Sequence, residues 1–446
     1  LEYALKYAKD GGALVTLNPP YQPKACALSL DYTASSAWLS AQQGTADARC
    51  YHLDAFGAYP AADTLLPQQS PSASLLIGLA DALPGGSLSL YFELEASSRD
   101  PDVAIEPLQW SVLAGDHWQP LTPTELRGDS SLGLLQSGIV QILLPSTASL
   151  AHSRMPAGLI WLRLGLARAA LAQSRLRQVS ANGVEVQLVT DDPGAAHRAR
   201  PLAAGSIGKI KLAPEAIKSV QQSAESFGGT PAERPETLAQ RAAERLRHRA
   251  RAISLWDYER LALQAFPEVY QAKCIAHTNG AGCGLSPGEV LLVVVPRLSE
   301  VAAAQRNRPK LPANRLLAIR DYLAATMGLS AQLRVQNARF QPVRVRLAVR
   351  FHAGLEFHYY QQQLQADLQR LLSPWAFDDA AALSFGGRLS PSVLLHQIEQ
   401  LPYVDYLSDF ALMSAEIEAG TGAALAASAD SILVSADSHL VLEASP

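Results

Sequence analysis

The chain has 446 residues, of which 48% are apolar and 17% charged, and it carries a formal net charge of −4. Such a composition describes a globular protein of several domains that can bury sizeable cores. It argues against a general nucleic-acid binder, because neutralising phosphates requires a cationic surplus.

The chain opens on Leu1 and not Met, so it reads as part of something longer. In residues 1–69 the pattern is weak: 13–17 (ALVTL) and 25–32 (ACALSLDY) are expected as short strands, and 51–66 is turn-rich. A clearer series follows. Residues 74–79 (SLLIGL), 87–94 (SLSLYFEL), 108–113 (LQWSVL), 138–144 (GIVQILL) and 159–166 (LIWLRLGL) are β-type runs separated by turns. In the second run Leu88, Leu90, Phe92 and Leu94 share one face of an extended chain. Strands so spaced, with no helical period between them, predict an antiparallel β-sandwich over residues 70–190. No stretch reaches the roughly 18 apolar residues of a membrane helix. The best, 159–173, is interrupted by Arg163 and Arg168.

Residues 191–240 are dense in Pro and Gly and predict a connector. Its apolar residues Leu202, Ile207, Ile210, Leu212, Ile217 and Val220 suggest that it is docked on the rest of the chain. Within residues 227–275 a Gly-Gly turn and two prolines lead into an amphipathic helix expected to carry Arg241, Arg245, Arg247, Arg249 and Arg251. Ser254 then caps a second helix, where Tyr258, Leu261, Ala262, Ala265 and Phe266 recur at helical spacing until Pro267.

Beyond this the pattern is mixed. Residues 269–277 and 289–295 (EVLLVVV) predict a hairpin across the loop 279–288, and 311–327 a helix. Residues 332–335 and 340–351 predict strands; in the latter Val343, Val345, Leu347, Val349 and Phe351 alternate with Arg344, Arg346, Ala348 and Arg350. A helix over 355–372, a second opened by Ser390 and Pro391, and a strand over 404–413 complete the series. At the tail, 431–434 and 439–442 are expected to pair as a hairpin. The fold class is therefore multidomain α+β: a sandwich in the N-terminal half, then two small split β-α-β type units over 241–335 and 336–446.

Candidate chemistry is weak throughout. The GAGCG run with Gly280, Gly282 and Gly284 is followed by Pro287 and a strand, so no helix N-terminus faces a phosphate there. Gly128, Asp129 and Ser130 hint at an esterase nucleophile, with Asp437 and His439 as distant partners, but the context is that of a surface turn. His352, His358 and His396 lack convergent metal-ligand spacing. The pairs Asp191–Asp192 and Asp378–Asp379 sit in turn-rich segments, where carboxylates cap and solubilise. Four cysteines, Cys26, Cys50, Cys274 and Cys283, are too few and scattered for a disulfide scaffold and are expected to be reduced, as in a cytoplasm. No catalytic, cofactor or metal set is assigned. The arginines at four-residue spacing, with Trp256 and Tyr258 beside them, are instead a candidate interface, since Arg suits desolvated contacts with carboxylates.

The order of these features resembles the baseplate protein J family. The resemblance is carried by Gly228, Gly229, Glu233, the helix RAAERLRHR (241–249), RAISLWDYERLALQAFPEV (251–269), and Lys273-Cys274. Farther on it rests on Pro287-Gly288 with the apolar strand to Pro296, and on LLSPW (371–375), SFGGRLSPSVL (384–394) and LPYVDYL (401–407). It spans residues 200–412, and the β-rich half looks similar to an insertion carried by injection-system members. It implies a non-enzymatic wedge subunit of a contractile phage tail or extracellular contractile injection system, with six wedges around a central spike hub. Its partners would be other wedge subunits, the hub, and sheath or tube initiator proteins, assembled in the bacterial cytoplasm with no nucleic acid and no membrane span. The alternative is a carbohydrate-binding or glycan-hydrolysing protein that uses the sandwich, with Trp110, Trp118 and Trp161 as a platform.

Overall fold

The computed structural model describes residues 2–9, 18–35, 51–54, 57–60, 71, 73–95, 99–167, 174–189, 200–211, 214–278, 280, 285–298, 306–378, 383–414, 417–420 and 423–444. The chain divides into two compact units, Leu1–Gln68 and Gln69–Pro446. The first contains a helix, α1 (Glu2–Lys9), and a hairpin of β1 (Tyr51–Asp54) and β2 (Gly57–Pro60). The strand expected over 13–17 lies outside the described residues. Residues 25–32 form no strand, and Leu28, Leu30 and Tyr32 are exposed: the run alternates but pairs with no strand among the described residues.

The second unit opens with the expected sandwich. Its eight strands are β3 (Ala73–Leu79), β4 (Ser87–Leu94), β5 (Gln109–Ala114), β6 (His117–Pro120), β7 (Leu126–Asp129), β8 (Gly138–Leu143), β9 (Ile160–Leu166) and β10 (Leu176–Ala181). They form two antiparallel four-stranded sheets, β10-β4-β8-β7 and β3-β9-β5-β6. Alternation in β4 does what the sequence required: Leu90 and Phe92 point inward onto Trp110, Val112, Val140, Ile142, Ile160 and Leu162. Each such side chain contributes about 1.5–3 kcal/mol by leaving water. Phe92 meets Trp110 edge-on, with ring centres 6.0 Å apart. The start of β8 is close-packed, since a Cβ on Gly138 would lie 2.5 Å from Ser131 N and 2.6 Å from Ser130 C. Gly138→Ala is therefore expected to lower stability by about 1–3 kcal/mol, read from the urea midpoint of the purified chain.

The α/β part runs α2 (Pro235–His248), α3 (Leu255–Ala265), β11 (Val269–Ala276), β12 (Glu289–Pro296), α4 (Ala313–Ala324), β13 (Gln332–Asn337) and β14 (Arg339–Phe351). It continues with α5 (Phe357–Leu372), β15 (Arg388–Leu389), α6 (Pro391–Glu399), β16 (Val404–Ser414), β17 (Ile417–Gly420), β18 (Ala424–Leu425), β19 (Ser431–Ser435) and β20 (Leu440–Glu443). The hairpin β11–β12 forms as expected, and α4 carries the chain across to β13, parallel to β12. An unbroken apolar run in β12 reflects burial on both faces. Leu292 and Val294 pack under α3 and α4, whereas Leu291, Val293 and Val295 pack against Trp375, Ile432 and Val434 of the second α/β unit.

β14 is the spine of that second unit, with the apolar face Val343, Val345, Leu347 and Val349 fully buried under α5 and α6. It pairs antiparallel with β16. Here the tail departs from expectation: β19 and β20 do not close a hairpin but lie parallel to successive halves of β14. Helix α5 holds them there. Gln361, Gln365 and Gln369, spaced by four, donate side-chain amide hydrogens to the carbonyls of Val441 (2.9 Å), His439 (2.7 Å) and Asp437 (3.3 Å). The sandwich meets the α/β part through polar contacts, a Lys310–Asp102 ion pair and a hydrogen bond from Asn314 to Gln136 (3.2 Å). Between residues 101–105 and α4 with β13 a cleft of about 600 Å³ remains.

Candidate functional site

Helix α2 starts at Pro235, which lacks the N–H a first turn leaves unpaired anyway. It is polar nearly all round and buries only His248. Its end differs from expectation. Arg249 and Ala250 take left-handed conformations, φ 51° and 56°, so the helix stops at His248 and carries neither Arg249 nor Arg251. No glycine marks this stop. It is held from outside: Ala252 pairs with Met327 after α4, and its N–H donates to Thr326 O (3.1 Å). The buried His248 fixes the turn locally, its Nδ1 accepting from Ala250 N–H at 3.0 Å.

The second helix begins as the sequence indicates. Ser254 and Asp257 form a reciprocal capping box. Burial opposes charge on Asp257, but hydrogen bonds from Ser254 and from the Ile253 N–H hold its carboxyl below the usual carboxylate range.

The candidate interface residues divide into two groups. Arg241 is paired within the chain, its Nε 2.9 Å from Glu233 Oε1 and its terminal nitrogen 2.8 Å from Oε2. Hydrogen bonding to Arg241 holds the Glu233 carboxyl below its ordinary range. Arg247 lies over the Trp256 ring, 3.9 Å from its centre, and Arg260 lies 5.8 Å from the same centre and 3.7 Å from Glu244. Half-buried Trp256 thus clamps α2 to α3 from within the chain. Tyr258 is buried in the core under α3, and burial pushes its phenol up. The second group is Arg245, Arg249 and Arg251, exposed and without an ion pair among the described residues. Leu246 and Ile253, 79% and 78% exposed, lie among them. Sequence reasoning passed over these two aliphatics; the available signal was a leucine on an otherwise polar helix end.

Among the remaining candidates, Asp129 and Ser130 lie in one turn. Ser131 N–H donates to Asp129 Oδ1 (2.8 Å) and Gly133 N–H to Oδ2 (2.9 Å), while Ser130 Oγ accepts from Ile139 N–H (2.8 Å), so this is a hydrogen-bonded turn. His439 is buried beside β14, bonded to Val345 and Ser435. Asp405 approaches exposed His352 at 3.9 Å, and His396 bonds Gln400. Gly280 accepts from Arg339 in the hairpin loop; Gly282, Gly284, Asp191, Asp192 and Asp379 lie outside the described residues, as do Cys50 and Cys283. Cys26 is free and exposed, and Cys274 is free and buried, its thiol pushed up to about 12 by burial and by Glu259. Among the described residues no group of three or more His, Cys, Asp or Glu is placed to hold a metal ion. None of their helices is long and apolar enough to cross a membrane. Of the three tryptophans a glycan platform needs, Trp110 is buried, Trp118 has Arg163 4.7 Å over its ring, and Trp161 donates its indole N–H to Pro156 O. The connector residues Ile207, Ile210 and Ile217 are exposed, so the expected docking of that segment does not bury them.

A family model described as "Baseplate protein PVC11-like" matches residues 4–439. No curated protein matches the chain. Among solved structures, the chain is similar to one in the cryo-EM structure of the anti-feeding prophage (AFP) baseplate, 6-fold symmetrised. The identity is 20% and the TM-score 0.39, over 82% of this chain and 78% of that one.

Proposed function

We propose a wedge role for this chain, which belongs to the PVC11-like baseplate protein family. In this reading it is a structural subunit in the baseplate of a contractile injection system or contractile phage tail, assembled in the bacterial cytoplasm. It joins a central spike hub and sheath to the peripheral baseplate in six-fold order and passes the contraction trigger between them. The family match across residues 4–439 carries the baseplate assignment, and the resemblance of residues 200–412 to baseplate protein J supplies the wedge role.

Contact, not chemistry, is the work this surface suits. Arg245, Arg249 and Arg251 offer guanidinium groups that no residue of the described chain pairs, beside the exposed aliphatics Leu246 and Ile253. A partner with carboxylates around an apolar patch would satisfy both. Expression with the neighbouring reading frames, followed by mass spectrometry and electron microscopy of purified particles, tests the role. Several copies around a multimeric hub are expected; a chain that stays monomeric in the presence of those neighbours rules it out.

A further inference from the structure

Four large aliphatic side chains are exposed within one short stretch: Val184 (78%), Val186 (74%), Leu188 (57%) and Val189 (93%). The stretch follows β10, whose ladder with β4 ends at Ala181 opposite Leu90. Asn182, at φ 59°, then turns the chain out of the sheet. Gly183 makes the last attachment, its N–H donating to Ser89 O (3.2 Å) and its carbonyl accepting from the Ser89 hydroxyl (2.6 Å). No side chain fits at that point, since a Cβ on Gly183 would lie 2.8 Å from the Tyr91 Cβ. The exit is therefore fixed. From Val184 to Val189 the chain is free of helix, turn and bend and forms no hydrogen bond among the described residues.

The sequence of this stretch is that of a half-buried strand and not of a loop. Val184, Val186 and Leu188 alternate with Glu185 and Gln187, and Val184, Val186 and Val189 are β-branched. Water satisfies bare amides and carbonyls, but it does not satisfy exposed aliphatic side chains. Glu185 is the sole charge, and no proline blunts the run against pairing.

We propose that residues 184–189 become a strand in the assembled baseplate, added to the open sheet edge of a neighbouring subunit, with Val184, Val186 and Leu188 covering that subunit's apolar sheet face. A strand edge is the occupant because it offers main-chain donors and acceptors to a run that bonds none of its own among the described residues, while the side chains of an alternating sequence meet one face. The inference rests on the baseplate reading above.

Amide hydrogen exchange of the free full-length chain and of purified particles tests it. Amides 184–189 are expected to exchange freely in the isolated chain, and alternate ones, those facing the neighbouring edge, about 100-fold more slowly in particles. Val186→Pro, which removes the N–H, is expected to lower incorporation about tenfold without changing the melting temperature of the free chain. Val186→Thr, which keeps the N–H and the branched Cβ, should incorporate normally. Particles that contain the chain but leave these amides fast, or that accept Val186→Pro as well as wild type, overturn strand addition. So does protection already present in the free chain. Particles that assemble without the chain refute the baseplate reading, and this inference with it.

Discussion

Replacing Arg245 and Arg249 together with glutamate is expected to leave the isolated fold intact and to stop the chain entering particles. Both side chains are exposed, and neither forms an ion pair among the described residues. The fold therefore loses no paired partner, and the only internal cost is an anion near the C-terminus of α2, about 0.3–1 kcal/mol. At an interface the effect is far larger. Two cations become two anions facing carboxylates, and like charges brought together across a contact cost several kcal/mol, which corresponds to at least about 100-fold in affinity. Arg247→Ala supplies the contrast. Its guanidinium lies over Trp256 within the chain, so this change should loosen α2 from α3 by about 0.5–1 kcal/mol and lower the melting temperature while particles still form. Particle yield by electron microscopy, beside thermal unfolding of each free variant, separates the two. Normal particles from the double glutamate variant would show that these arginines face only solvent.

Acidification is expected to destabilise the C-terminal unit through His439. Its Nδ1 accepts from Val345 N–H at 3.1 Å, which requires the neutral ring with its proton on Nε2; that proton goes to Ser435 Oγ, 3.0 Å away. Ser435 passes its own hydrogen to Ala436 O (2.8 Å). Protonating Nδ1 breaks the bond to Val345 and puts a charge in a site that burial and Arg344 both disfavour. The imidazole is accordingly pushed down to about 4. The folded value lies below the unfolded one, so above about pH 6.5 the residue adds no pH dependence. As pH falls from about 6.5 to about 4 the unfolded chain takes up the proton first, and stability drops by about 3 kcal/mol before levelling off. Urea unfolding of wild type and His439→Gln at pH 7 and pH 4.5 checks this, because carboxylates common to both cancel in the difference. Equal losses in the two proteins would remove His439 as the cause.

Much of the fold was legible because it depends on neighbours in the sequence. Inward residues two apart in β4 and β14, the apolar run of β12, and Ser254 with Asp257 three apart each set local conformation by themselves. The candidate surface was legible only as a cluster. Five arginines at helical spacing look equivalent in sequence, but a distant pairing of Ala252 with Met327 ends α2 early, and Glu233 and Trp256 claim two of the five.

What sequence by itself determined is therefore which stretches suit strand or helix and that the chain resembles a baseplate family. Which of those stretches find partners was decided only by tertiary structure. Residues 25–32 and 431–434 both read as short strands, yet only the second is paired: it lies within β19 alongside β14, where the Ser373 hydroxyl at the end of α5 accepts from Ser435 N–H. Strand pairing completes hydrogen bonds between residues far apart in sequence, and periodicity within a segment carries no information about whether such a partner is within reach.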